Sequence, residues 1–84
     1  MAQVTIYTKF YCPYCERALA LLDKKGAHVT NIEAASNPEV RAKMNALSGR
    51  NTFPQVFIGD QHMGGCDDLM ALETKGKLDA LLAA

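Results

Sequence analysis

Cys12-Pro13-Tyr14-Cys15 sets two sulfurs one helical turn apart, a spacing at which thiols can close a disulfide or occupy two positions around a metal ion. Cys66 is the third cysteine. An odd count with one close pair does not build a framework of structural disulfides, so redox chemistry or metal binding remains. A closed zinc site needs four ligands, and beyond the pair only Cys66, His28 and His62 are at hand, at no finger spacing. No metal is expected. Small buried hydrophobes are the plain alternative for the pair. For Cys66 a structural place, or that of a spare thiol beside the pair, is preferred to a direct catalytic role.

A thiol does chemistry as its thiolate, so its placement matters. Val4 to Thr8 is β-branched and aromatic, which suits a strand buried on both faces. Cys15, Ala18, Leu19 and Leu22 then recur at helical spacing until Gly26. Cys12 therefore lies where a strand ends and a helix begins. Unpaired N–H groups and the positive end of the helix dipole favour negative charge there. Pro13 fits the first turn, where a missing N–H costs nothing, and Lys9 adds positive potential. Cys12 is expected to be exposed and to attack. Cys15, one turn in on the inward face, is expected to be shielded and to resolve. A thiol of low pKa gains thiolate but loses intrinsic nucleophilicity, so its larger advantage is as a leaving group.

The remaining elements follow from the same patterns. His28 to Ile32 reads as a short strand. Ser36 or Asn37 caps a second helix with Pro38 in its first turn, Val40, Met44 and Leu47 inward, and Gly49 closing it. Gln55 to Ile58 and Gln61 to Gly64 flank Gly59-Asp60 as a hairpin. A third helix starts near Cys66 with Leu69 and Leu72 inward, Gly76 breaks it, and Leu78, Leu81 and Leu82 form a last turn or short helix. The order is β-α-β-α-β-β-α. It predicts an α/β fold: a four-stranded mixed sheet flanked by helices on both faces, with a right-handed parallel crossover. His28 and His62 are expected to be surface strand residues.

Eighty-four residues are expected to make a single domain, 1–84. Nine basic and nine acidic side chains cancel, which argues against nucleic acid. No apolar run approaches the roughly 20 residues that span a bilayer, so no membrane association is expected. The first residues lack a basic region followed by a long apolar segment, so no signal peptide is read and a cytoplasmic location is expected.

Three motifs in this order carry a family resemblance: Tyr7-Thr8-Lys9 with Cys12-Pro13-Tyr14-Cys15, then Thr52-Phe53-Pro54-Gln55-Val56-Phe57-Ile58, then Gly64-Gly65-Cys66-Asp67-Asp68-Leu69. Together they resemble the glutaredoxins, in particular the short bacterial dithiol type, over almost the whole chain. The resemblance implies a thioredoxin fold and a glutathione-dependent reduction of protein disulfides and glutathione mixed disulfides. Cys12 would be the nucleophile and Cys15 the resolving thiol. It also implies glutathione as co-substrate with no permanently bound cofactor, and a monomer. Its partners would be disulfide-containing or glutathionylated proteins, ribonucleotide reductase among the candidates. One departure stands out: Phe53 occupies a position where the family most often has Val, which bears on the shape of the peptide groove.

The resemblance further implies a cis Phe53-Pro54 bond, with the backbone of Phe53 available to an extended peptide such as glutathione. Thr52, Phe53, Pro54 and Tyr14 would line that groove, with Gly65 permitting close approach and Cys66 beside it. Asp67 or Asp68 would accept the γ-glutamyl ammonium, and Lys9 or Arg41 the glycyl carboxylate. Asp67 and Asp68 also have an ordinary use, complementing the dipole at a helix start. Arg41 has an ordinary place on a helix surface. Relatives that instead carry an iron–sulfur cluster between two chains usually lack the second cysteine or have an altered motif, so Cys15 and the Pro-Tyr pair favour the enzyme. A thioredoxin would show Trp before Gly-Pro, and this chain has no Trp.

Overall fold

The computed structural model describes residues 2–84; Met1, the first residue of the expected domain, lies outside them. The elements are β1 (Gln3–Thr8), α1 (Pro13–Lys24), β2 (His28–Glu33), α2 (Pro38–Ser48), β3 (Gln55–Ile58), β4 (Gln61–Gly64), α3 (Cys66–Thr74) and α4 (Leu78–Ala83). They follow the expected order, and the final turn is a helix. The sheet runs β2-β1-β3-β4, with β1 parallel to β2 and antiparallel to β3, and β4 antiparallel to β3.

Strand side chains alternate between faces, and two separate cores result. Val4, Ile6, Val56 and Ile58 pack with Ala18 and Leu22 of α1, Cys66 and Leu69 of α3, and Leu78 and Leu82 of α4. Tyr7 and Phe57 face the other way, onto Ala34 and Met44, their rings edge-on at 5.8 Å. So α1, α3 and α4 cover one face and α2 the other. Burying a side chain such as Leu22 contributes about 1.5–3 kcal/mol, so the three-helix face carries most of the apolar stabilisation.

Asn37, rather than Ser36, caps α2, its Oδ1 accepting the Glu39 and Val40 N–H groups. Ser36 is engaged by Glu33. Leu47 departs from expectation and is exposed. It sits near the end of α2, past the cluster around Met44, so its place on the apolar stripe finds no sheet beneath it. His62 is half-buried rather than a surface residue, because its ring lies against Phe57 and reaches the buried Gln55; the strand pairing becomes irregular just beyond it. Phe57 pairs with His62 but Val56 pairs with Gly64, which leaves Met63 as an extra residue in β4.

Candidate active site

The segment from Lys9 to Tyr11 carries the chain from the C-terminal end of β1 to α1. Tyr11 holds φ 56°, the one non-glycine residue with positive φ among those described, and its side chain is 99% exposed. Cys12 is the N-cap of α1 in extended conformation. Its Sγ accepts the Cys15 N–H at 3.2 Å, and its carbonyl accepts the Glu16 N–H at 3.0 Å. Sulfur therefore takes the place an oxygen holds in an ordinary cap. Negative charge on it is met by that N–H and by the helix dipole.

This geometry corrects one expectation: Cys12 is 4% exposed, not open to solvent. To cap the helix, its side chain turns back over the first turn, and the neighbouring aromatics Phe10, Tyr11 and Tyr14 take the exposure instead. Arg17 lies over the Tyr14 ring, 5.6 Å from its centroid. Cys15 is buried as expected, and its thiol is pushed up to about 12, chiefly by burial and then by the adjacent Cys12 sulfur. A hydrogen bond from the Lys9 backbone pulls it the other way. All three cysteines are free thiols. A cleft of about 250 Å³ opens beside the pair, lined among others by Lys9, Cys12, Cys15, Glu16, Asn31 and Glu33.

A second wall comes from the segment before β3. Phe53-Pro54 is cis. Thr52 is exposed, Phe53 half-buried and Pro54 buried. Arg41 lies 5.4 Å over the Phe53 ring and donates from Nε to Asn51 at 2.8 Å. It is thus tied to this loop rather than to the cysteines.

The third wall is the start of α3. Gly64 has φ 102°, and a methyl group there would overlap the Asp68 carboxylate. A methyl on Gly65 would stand 3.3 Å from the Pro54 carbonyl oxygen, so the glycine lets the two walls meet closely. Asp68 Oδ2 accepts the Gly65 N–H at 2.9 Å and pairs with Arg50 at 2.9 Å. Both contacts hold its carboxyl below the usual range, the Gly65 N–H foremost. Asp67 is exposed and has no ion pair among the described residues. Cys66 is buried, and burial, then Asp67, pushes its thiol up.

Of the expected residues, Lys9, Cys12 and Cys15 share the cleft, Arg41 and Phe53 stack, and Pro54 and Gly65 abut. Asp68 is spoken for by Arg50, which leaves Asp67 as the free acid of the pair. Arg50 was not foreseen, because its partner lies 18 residues away and no local pattern links them. Gln55 and His62, joined at 2.6 Å, were missed as a polar pair for the same reason. Among the described residues, no group of three or more His, Cys, Asp or Glu is placed to hold a metal ion, and no helix is long and apolar enough to cross a membrane.

The family model described as Glutaredoxin matches residues 4–63. The chain is 52% identical over 84 residues to a glutaredoxin of Pseudomonas aeruginosa, covering 100% of both. It is 54% identical over 82 residues to glutaredoxin 3 of Escherichia coli K12, covering 98% of this chain and 99% of that one. Among solved structures, a buckwheat glutaredoxin–glutathione complex superposes with a TM-score of 0.88 at 35% identity, covering 98% of this chain and 77% of that chain. The solution structure of a Brucella melitensis glutaredoxin gives 0.85 at 62% identity, covering 98% and 89%. The architecture is the thioredoxin fold these neighbours share.

Proposed function

The chain belongs to the glutaredoxin family and is a glutathione-dependent thiol–disulfide oxidoreductase; from that premise we propose that it works through the Cys12-Pro13-Tyr14-Cys15 centre on protein disulfides and glutathione mixed disulfides. The observation that carries this reading is the Cys12 sulfur seated as the N-cap of α1, on the Cys15 N–H. The Cys12 thiolate attacks the glutathione sulfur of a mixed disulfide. A bond forms between the two sulfurs, and the protein thiolate departs with the electron pair. A second glutathione thiolate then attacks the bound glutathionyl sulfur, giving glutathione disulfide and returning Cys12 as thiolate. Alternatively Cys15 loses its proton and attacks Cys12 Sγ. That releases glutathione and leaves a Cys12–Cys15 disulfide two electrons more oxidised.

Seating the sulfur on a helix end aims the Cys15 N–H at it as it leaves with the electron pair, the step where a fixed donor counts most. Glutathione would lie across Tyr14, Thr52, Phe53 and Pro54, with Gly65 and Cys66 close by. Asp67 would take the ammonium, since Asp68 is already paired with Arg50. Lys9, and Arg41 above the Phe53 ring, would serve the glycyl carboxylate. The 1–84 chain would act as one monomeric domain in the cytoplasm, on glutathionylated or disulfide-containing proteins. Substrates such as ribonucleotide reductase are among the candidates.

The test is turnover of a glutathionylated peptide with excess glutathione, combined with mass spectrometry of Cys15→Ser after exposure to glutathione disulfide. The expected product carries one glutathionyl group, on Cys12. Attachment at Cys66 in place of Cys12 would overturn the assignment.

A further inference from the structure

We propose that Gln55 and His62 are positioning residues that aim the backbone of Thr52 and Phe53 into the groove; this rests on the reading of that groove as the glutathione site. Gln55 is wholly buried, unusual for a side-chain amide, and all of its polar atoms are used. Its Nε2 donates to the Thr52 carbonyl at 3.1 Å and to Thr52 Oγ1 at 3.0 Å. Its Oε1 lies 2.6 Å from His62 Nε2. Because the amide nitrogen is committed to Thr52, Oε1 must accept, so the proton sits on His62 Nε2.

The orientation has a consequence one peptide further along. The bond between Thr52 and Phe53 is trans, so its carbonyl and N–H point in opposite directions. With the Thr52 carbonyl drawn inward to Gln55, the Phe53 N–H is turned outward. No hydrogen bond to that N–H occurs among the described residues. Thr52 Oγ1 accepts from Gln55, which leaves its own hydroxyl proton free for an outside acceptor. Two donors are thus presented side by side, where the carbonyls of an extended peptide would lie.

The β3–β4 pairing completes the arrangement. His62 stands opposite Phe57 in the regular register of the hairpin, its ring 5.0 Å from the Phe57 ring, and reaches Gln55 across the strand pair. Beyond His62 the bulge at Met63 shifts the register, so that Gly64, just before α3, pairs with Val56.

The experiment compares steady-state turnover of a glutathionylated peptide by the unaltered protein, Gln55→Met, His62→Phe and His62→Gln. His62→Phe keeps the ring against Phe57 and removes the donor. His62→Gln keeps a donor. Gln55→Met removes both contacts to Thr52 and the one to His62; misaiming a single ligand-facing donor, worth about one hydrogen bond, predicts a KM about fivefold higher there and a smaller rise in His62→Phe. In both, kcat should stay within about twofold, and in His62→Gln KM should return to within about twofold of the unaltered value. The rate at which iodoacetamide alkylates Cys12 should not change, because the cysteine end is untouched. If Gln55→Met does not fold, the two His62 variants decide the matter. A lowered melting temperature with unshifted KM in His62→Phe would assign the pair to folding alone and overturn the inference. Absence of turnover by the unaltered protein would instead remove the proposed function, and this inference with it.

Discussion

Two helices begin at this site, and each has a buried cysteine in its opening residues. In α1 the cysteine is the cap itself: Cys12 Sγ takes the Cys15 N–H, and the first-turn acid Glu16 makes no hydrogen bond to that helix end among the described residues. In α3 the acidic residue Asp68 reaches back to the Gly65 N–H with Arg50 behind it, and Cys66 lies one position inside, packed with Leu69. Each helix has the same dipole and the same unpaired N–H groups. The difference lies in what they are spent on. One end is kept for a charge that comes and goes on sulfur, the other neutralised by a permanent acid. Residue type and helix position are therefore not enough to make a reactive thiol; an N–H group must also be aimed at the sulfur, as the Cys15 N–H is at Cys12.

The sharpest way to break this comparison is Cys12→Ser. A hydroxyl can still cap the helix, so the fold should stand, while turnover of a glutathionylated peptide should fall about a thousandfold or more, to the assay background. Unchanged turnover would show that the α1 end was not the working one.

Next in size is the pH response of Cys15. With its thiol pushed up to about 12, Cys15 is protonated at neutral pH and its thiolate fraction grows about tenfold per unit through pH 7 to 9. Burial, the leading cause, persists when Cys12 carries glutathione, although the contribution of the Cys12 sulfur changes. Release of glutathione from the glutathionylated protein without added thiol should therefore steepen with pH. Cys15→Ser should lose that release yet keep turnover driven by excess glutathione. A flat pH profile would show that burial does not hold back the resolving thiol.

Asp68→Asn probes the neutralised end. The folded carboxyl sits below its unfolded range, so its contribution to stability is present above the unfolded value near 4 and is lost as pH falls through the folded one. About half of the side chain remains exposed, and solvent screening limits the cost of the substitution near neutrality to under about 1 kcal/mol. Denaturant unfolding should show that small cost at pH 7 shrinking towards zero at the lowest pH, where both side chains are neutral. A cost independent of pH would mean that the carboxylate charge contributes nothing there.

Most of the fold was legible because it rests on local patterns. Strand and helix periods, a capping residue (Ser36 or Asn37) ahead of Pro38, and the Gly59-Asp60 turn each declare themselves within a few residues. The cysteine pair was legible for the same reason, and the relation of Cys12 to the helix end followed from it. What sequence did not reveal depends on contacts between distant segments. Arg50 on Asp68, His62 on Gln55 and the bulge at Met63 exist only once β4 lies against β3. The burial of Cys12 was misread because helix starts are usually exposed, and the inward turn of a capping side chain leaves no mark in composition. Leu47 was misread because a periodic stripe does not say where the sheet beneath it stops.

The smallest expected effect belongs to Cys66→Ser, and it tests the comparison from its quiet side. Cys66 is buried beside Leu69, burial and Asp67 keep its thiol protonated, and the nearest α3 cap is already made by Asp68. The charge of Arg17 favours a thiolate there, and burial and Asp67 outweigh it. Turnover in Cys66→Ser should stay within about twofold of the unaltered protein. The buried hydroxyl should lower stability by about 1 kcal/mol, because it must give up water without an assured partner. In the unaltered protein at pH 7, brief iodoacetamide treatment should label Cys12 and leave Cys66 unmodified until denaturant is added. If Cys66 is alkylated as fast as Cys12 in the folded protein, then occupation of a helix end by an acid does not silence a neighbouring thiol, and the distinction between the two ends fails.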